Sequence, residues 1–424
     1  MNRRLIFIIE ILFLVIIFFL ANIRSFVFWS LFPETNGIFK EAWREVVIWL
    51  IALSMMLYLL YKNFLISDYL SAWLKEPLLI GFILFSLVSI LWSENWTATL
   101  HRSLIFTFAT LTAVFLGLRY LIRGLLQTLS WVGAIIVIAS LLMVLLNPEV
   151  GKYSIASFYK GAWRGIFWNR NQLGNILSLF NLIFLLYFFL LKYKNAPVKK
   201  LFALVFYILS LAEIFYAKSA SGYILTLLLH FVLGAAFLWL YVRDRLSPSH
   251  YYVILFFLAF AVIGIILNLD FVLGLFNRTP TFTGRVPMWA ILLRDVFPQN
   301  PWLGVGFGTI WSNVNFRLKM RDLTGWGFPL VIGDNGFLDL LLNLGVIGLL
   351  LFLLNYVKAW VGAGWFFLRK LSLEGSFPFI FMVFTLFANL TFSLFMETEV
   401  FIWMIIVALM VISTRKKNDN FKVV

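Results

Sequence analysis

Runs of roughly 15 to 20 apolar residues recur from one end of this chain to the other, and nothing else in the sequence limits its folds so severely. Backbone polar groups inside hydrocarbon have no water to bond. A segment of that length is therefore stable in a bilayer only as a helix that satisfies its own amides. Twelve runs are legible, near 5–23, 46–61, 78–92, 104–118, 129–146, 173–191, 201–217, 223–242, 251–269, 337–357, 377–395 and 399–413. The expected fold class is an all-α polytopic membrane protein of about 12 transmembrane helices, with 1–424 as a single membrane domain.

The first run is too long for a signal-peptide core, and no small-x-small site follows it before Arg24, so it is expected to remain as a span. The chain has no cysteine, which removes disulfides and thiolate metal sites from consideration. His101, His230 and His250 lie far apart without HxxxH or HExxH spacing, so no metal site is expected. A net charge of +15 would suit nucleic acid in a soluble protein. Here 62% hydrophobic and 12% charged residues make loop-by-loop charge the relevant test instead, and no nucleic-acid partner is expected.

Twelve spans put both termini on one side. The loops of that side carry Arg3, Arg4, Lys62, Lys75, Arg119, Arg123, Lys192, Lys194, Lys199, Lys200, Arg243, Arg245, Lys358, Arg369, Lys370 and a basic tail, 19 of the 34 Lys/Arg. By the positive-inside rule this side is cytoplasmic. The remaining basic residues concentrate in two outer loops, four in 147–172 and six in 270–336. Basic residues placed against the topological trend point to an anion at the outer face.

The loop 270–336, between spans 9 and 10, is too long to be a mere connector. Its aromatic residues, among them Trp289, Trp302, Trp311 and Trp326, argue for an ordered insert with helix-like patches around Val286–Phe297.

Three stretches carry candidate chemistry. In GAWRGIFWNRNQLGN (161–175), Arg164, Arg170 and Asn171 gather where a span begins, and a helix N-terminus and guanidinium forks both favour phosphate. In TGRVPMWAILLRDVFPQNPWLGVGFGTIW (283–311), Arg285 and Trp289 are spaced i, i+4 and share a helical face. The glycines 304–308 lack the βαβ context of a nucleotide loop, and are expected to let the backbone approach a partner closely. In GDNGFLDLLLNLGVIGLLLFLLN (333–355), Asn335, Asp339 and Asn343 recur every four residues as a polar stripe entering a span, with Asp334 at its mouth. Intramembrane polar groups face protein or a water-filled cavity, and part of this stripe is expected to line a cavity. An N-cap role for Asp334 is the simpler alternative. In the turn KSASG (218–222), helix capping by serine is favoured over nucleophilic catalysis, since no base is adjacent.

The ordered set WRGIFWNRNQLG, ILWSENWTATLHRSL, KSASGYI, the 283–311 block and DNGFLDLLLNLGVIGLLLF resembles the landmarks of the O-antigen ligase and polysaccharide polymerase family, over about 90–350. The closest likeness is to its exopolysaccharide-polymerase branch. The resemblance implies a GT-C-type glycosyltransferase of the bacterial inner membrane, inverting and without metal or cofactor, its active site facing outward. It implies transfer of glycan from undecaprenyl pyrophosphate to an acceptor glycan or glycolipid, as in repeat-unit polymerisation or ligation to lipid A core. Carried onto this chain it implies that Arg164 and Arg285 meet the pyrophosphate, with Arg170, Asn171, Asn335, Asp339 and Trp289 as substrate contacts. Where the ligase pattern commonly has His-Asn, this chain has Asp334-Asn335, which leaves a carboxylate as the candidate base. A chain-length regulator is a candidate partner beside membrane lipid. A lipid-glycan flippase or transporter without catalysis is the alternative reading.

Overall fold

A computed structural model describes residues 13, 17, 38–63, 65–157, 159–191, 196–243, 285–324, 332–390, 392–394 and 400–414. Among these the chain is almost wholly helical, with a lone bridge between Lys152 and Trp163. The helices are α1 (Ile38–Lys62), α2 (Ile66–Leu74), α3 (Pro77–Val88), α4 (Trp96–Arg119), α5 (Ile122–Leu146), α6 (Arg170–Leu190), α7 (Pro197–Ala217), α8 (Ala220–Val242), α9 (Arg285–Ile291), α10 (Val314–Thr324), α11 (Gly336–Lys370), α12 (Leu373–Asn389) and α13 (Val400–Thr414). Seven described helices are long and apolar enough to cross a membrane, or eight if the bent pair α2/α3 is one span. This is the build of a polytopic membrane protein. Most of the expected runs 5–23 and 251–269, together with 270–284 and 325–331 of the long loop, lie outside the described residues. Each of the other expected runs falls on a described helix.

Turn chemistry sets the helix ends. Pro77 and Pro197 open α3 and α7, where a missing N–H costs nothing. Asn95, Asn169, Ser219 and Ser372 cap α4, α6, α8 and α12 by accepting from backbone amides in the first turn. The serine of the KSASG turn is thus a cap, as its position suggested.

At the centre stands α13. Every residue from Val400 to Ser413 is buried, so this helix is apolar all round because protein surrounds it. Trp403 stacks on Phe106 of α4 at 5.3 Å and donates its Nε1 hydrogen to Thr110 Oγ1 at 2.9 Å. The indole proton is satisfied inside the core rather than left bare.

The longest helix, α11, is broken. Gly345 has φ 65° and ψ −169°, which interrupts the intrahelical ladder. The freed carbonyls of Leu342 and Asn343 accept from the amides of Val305 and Gly306 at 3.2 and 2.9 Å. The amides of Val346 and Ile347 donate to the carbonyls of Pro301 and Trp302 at 2.8 and 3.3 Å. The glycine-rich turn of the long loop is therefore stitched into the break. Its glycines permit this contact: a Cβ on Gly304 would lie 2.4 Å from the Asn343 carbonyl carbon. The close partner expected of these glycines is a helix of the same chain.

Chain alternation brings 92–96, 147–157, 159–170, 217–220, 301–312, 332–336, 389–390 and 392–394 to one end of the bundle. At the opposite end, Lys358 of α11 pairs with buried Glu76 at 2.5 Å, beside the 83° bend between α2 and α3.

Gly345→Ala places a methyl about 2.2 Å from the Trp302 carbonyl carbon and forces a non-glycine residue into a region open mainly to glycine. It is expected to cost at least ~1–3 kcal/mol from backbone strain alone. Gly364→Ala, on the same helix with nothing within 4 Å, is expected to be neutral or slightly stabilising. Thermal unfolding of the two purified variants in one detergent separates these outcomes.

Candidate active site

Arg285 opens α9 and Trp289 follows one turn later, so both reach the same short segment before α11. Arg285 Nε donates to Asp334 Oδ2 at 2.8 Å, with the two side chains 15% and 16% exposed. Trp289 Nε1 donates to the Gly333 carbonyl at 2.7 Å. Asp334 itself is in the left-handed region, φ 51°, a conformation that aspartate tolerates better than most residues. Burial pushes its carboxyl above the ordinary carboxylate range, and the charge and hydrogen bond of Arg285 pull against that shift.

The cap of α11 is the next residue. Asn335 Oδ1 accepts from the amides of Phe337 and Leu338 at 3.1 and 3.2 Å. Capping therefore does not use Asp334, whose carboxylate is held by Arg285 instead.

The rest of the polar stripe faces protein. Asp339 is 2% exposed, and its Oδ1 accepts from Trp311 Nε1 at 2.8 Å. Its Oδ2 accepts from the Gly333 amide at 3.2 Å and from Ser393 Oγ. Asn343 is fully buried; its Oδ1 accepts from the Ile310 amide at 3.1 Å and its Nδ2 donates to the Asp339 carbonyl at 2.7 Å. The expectation that the stripe lines a cavity is thus not met at these two positions, which tie the long loop to α11.

The stretch ILWSENWTATLHRSL anchors the same loop from the other flank. Trp92 Nε1 donates to the Leu303 carbonyl at 3.0 Å, and the hydroxyls of Ser93, Thr99 and Thr309 form a triangle with edges of 2.6, 3.1 and 2.6 Å.

A second group surrounds the N-terminus of α6. Arg164 donates from Nε to the Val150 carbonyl at 2.6 Å, and its guanidinium lies 5.3 Å from the centre of the Tyr153 ring. Arg170 lies 4.3 Å over Tyr159 and donates to the Lys218 carbonyl. Lys218 Nζ donates to the Lys160 carbonyl at 3.0 Å, and Lys152 lies 5.7 Å over Trp163. Trp163 stacks on Tyr216 at 4.6 Å, and Ser219 Oγ donates to Asn171 Oδ1 at 2.9 Å. The result is a basic patch framed by aromatic rings, in which cation–π contacts hold the cations. Burial raises the Tyr153 phenol above its usual range, with nearby Arg164 opposing, so it remains a neutral hydrogen-bonding group.

The sequence-predicted residues thus divide in two. Arg285, Trp289, Asp334, Asn335 and Asp339 come together, while Arg164, Arg170 and Asn171 gather separately at the same end of the bundle. None of the described contacts of Arg164 reaches the Arg285 group. Ser393 and Lys160 carry no local motif that marks them, and the motifs holding Trp311 and Lys218 do not reveal their partners, which are distant in sequence.

With this geometry in view, the comparison with known families is informative. Residues 205–353 match the model of a family described as O-Antigen ligase. That segment belongs to an O-antigen ligase/polymerase-type family. The match covers most of α7, α8, the long loop, and α11 through its break, and so includes every member of the Arg285–Asp334 group except Ser393. The basic group at α6 precedes it in sequence and shares only Tyr216, Lys218 and Ser219 with it. No match to this chain was found among the curated proteins. The match supports glycosyl transfer of the O-antigen ligase/polymerase type at a coarse level, in a multi-pass membrane protein.

Asn335→Ala removes the cap and is expected to cost ~1 kcal/mol. It leaves the Arg285–Asp334 pair in place. Thermal unfolding in detergent, against the unaltered protein, should register that loss.

Proposed function

We propose that the chain moves glycan from undecaprenyl pyrophosphate to a sugar hydroxyl on the outer face of the bacterial cytoplasmic membrane, with inversion and without a metal. Repeat-unit polymerisation of a surface polysaccharide is favoured over ligation to lipid A core, because the slot where the ligase pattern commonly has histidine holds Asp334. The observation that carries this reading is the half-buried Arg285–Asp334 pair at the bundle end that also carries the basic, aromatic-framed patch.

In this reading Asp334 accepts the proton of the acceptor hydroxyl as that oxygen attacks the anomeric carbon. The bond from that carbon to the phosphate oxygen breaks, and undecaprenyl pyrophosphate departs with the electron pair. The proton then passes from Asp334 to water. Arg164 and Arg170, with Lys152, Lys160 and Lys218 around them, supply the positive field for the diphosphate. Arg285 holds the carboxylate and lies beside the reacting centre. Asn171, Asn335 and Trp289 border the substrate. Both termini are cytoplasmic in this arrangement, and a chain-length regulator remains a candidate partner.

Two observations bear on a transporter instead: the break in α11 and the bent pair α2/α3. The groups freed at Gly345 are bonded to the 301–306 turn, however, and so are not open to a passing ion. Catalysis is the better account.

The test supplies lipid-linked glycan, extracted from host cells lacking this chain, to the purified protein. Longer lipid-linked chains are expected; unchanged substrate carried across a vesicle bilayer would overturn the reading. Asp334→Asn should lower turnover by about 10²–10⁴-fold, the contribution typical of a general base. Arg164→Ala with Arg170→Ala should chiefly weaken donor binding.

The pH dependence has a definite sign. A base must be ionised, and the Asp334 carboxyl is raised, so as pH falls it protonates earlier than an ordinary aspartate. The acid limb of the rate profile should therefore lie above the normal aspartate range. Arg285→Ala should move that limb further up, because it removes the group that favours the charged form.

A further inference from the structure

We propose that Asp339 is a positioning residue that clamps Gly333 by its amide and so aims the carboxylate of the next residue, Asp334, an inference that rests on the reading of Asp334 as the base. Gly333 is held at both ends. Its amide donates to Asp339 Oδ2 at 3.2 Å, and its carbonyl accepts from Trp289 Nε1 at 2.7 Å. With that residue fixed, Asp334 is kept in the left-handed turn at φ 51° that carries its side chain to Arg285 at 2.8 Å.

The clamp is itself held. Asp339 takes the Trp311 indole on one oxygen, and the Gly333 amide and Ser393 hydroxyl on the other. These donors come from the long loop, the turn before α11 and the segment after α12, so the aim of the base depends on all three elements being assembled. Three donors around one side chain call for an acceptor on each oxygen, which an ionised carboxylate provides and an amide does not.

That asymmetry gives the test. In Asp339→Asn, turning the amide oxygen toward Gly333 sets its NH₂ against the Trp311 N–H, and flipping it sets the NH₂ against the Gly333 N–H. Either way one donor faces another. Trp311→Phe removes the first conflict. Asp339→Asn alone is therefore expected to lose about 10-fold or more in chain elongation of the extracted lipid-linked glycan, with turnover falling more than donor affinity. The double variant should return close to the activity of Trp311→Phe alone. The acid limb should move upward in Asp339→Asn, as Asp334 drifts from Arg285, and return in the double variant.

A charge needed by the substrate, or a plain loss of fold, would leave the double variant no better than Asp339→Asn; that result overturns the proposal. Should Asp339→Asn fail to fold, Trp289→Phe releases the other side of Gly333 and must raise the acid limb, and an unmoved limb overturns the proposal equally. Asp334→Asn keeping near-normal turnover would instead defeat the reading of Asp334 as the base, so the two failures are told apart.

Discussion

A helix broken inside a bilayer frees backbone groups that lipid has no means to bond, and the arrangement of this site follows from how those groups are satisfied. The break at Gly345 exposes carbonyls of the N-terminal half of α11 and amides of the C-terminal half. The 301–306 turn supplies the complementary partners. That exchange fixes the 301–306 turn against the helix, and the described residues just after it inherit their position. Thr309 then reaches the hydroxyls at the start of α4, Ile310 reaches Asn343, and Trp311 reaches Asp339. A segment that looks like an external insert in sequence is in effect part of the transmembrane scaffold.

Much of this was legible beforehand, and the parts that were not share a cause. Apolar runs revealed the described spans because hydrocarbon thickness imposes a length on them. Spacing of four placed Arg285 and Trp289 on one face, and both meet residues 333–334. The same spacing drew Asn335, Asp339 and Asn343 into a stripe. Periodicity reports that a face is polar, though, not whether water or protein lies opposite. Trp311 and Ser393 decide that question for Asp339, and they lie 28 and 54 residues away. The alternative of Asp334 as a cap goes to its neighbour: both are good capping types, but Asn335 accepts from the first-turn amides while Arg285 holds Asp334.

The two charged groups obey different electrostatics. Around α6, Lys152, Arg164, Arg170 and Lys218 make described contacts with tyrosine and tryptophan faces and with backbone carbonyls. At α9 the guanidinium is matched by a carboxylate, and the pair presents little net field. A basic patch suits an anionic headgroup; a neutralised pair at the same end of the bundle suits the handling of a proton. Counting basic residues per loop located both groups but gave no means of telling them apart, because the distinguishing partners, Tyr153 and Tyr159 on one side and Asp334 on the other, contribute through geometry.

The positive φ of Asp334 also acts as a stereochemical sieve on what chemistry the position admits. Aspartate, asparagine and histidine are enriched several-fold among the side-chain-bearing residues found there. Two of those three move protons. A scaffold with this twist before α11 could therefore exchange a carboxylate for an imidazole without reshaping its main chain, the same pair of alternatives that separates this chain from the ligase pattern it resembles.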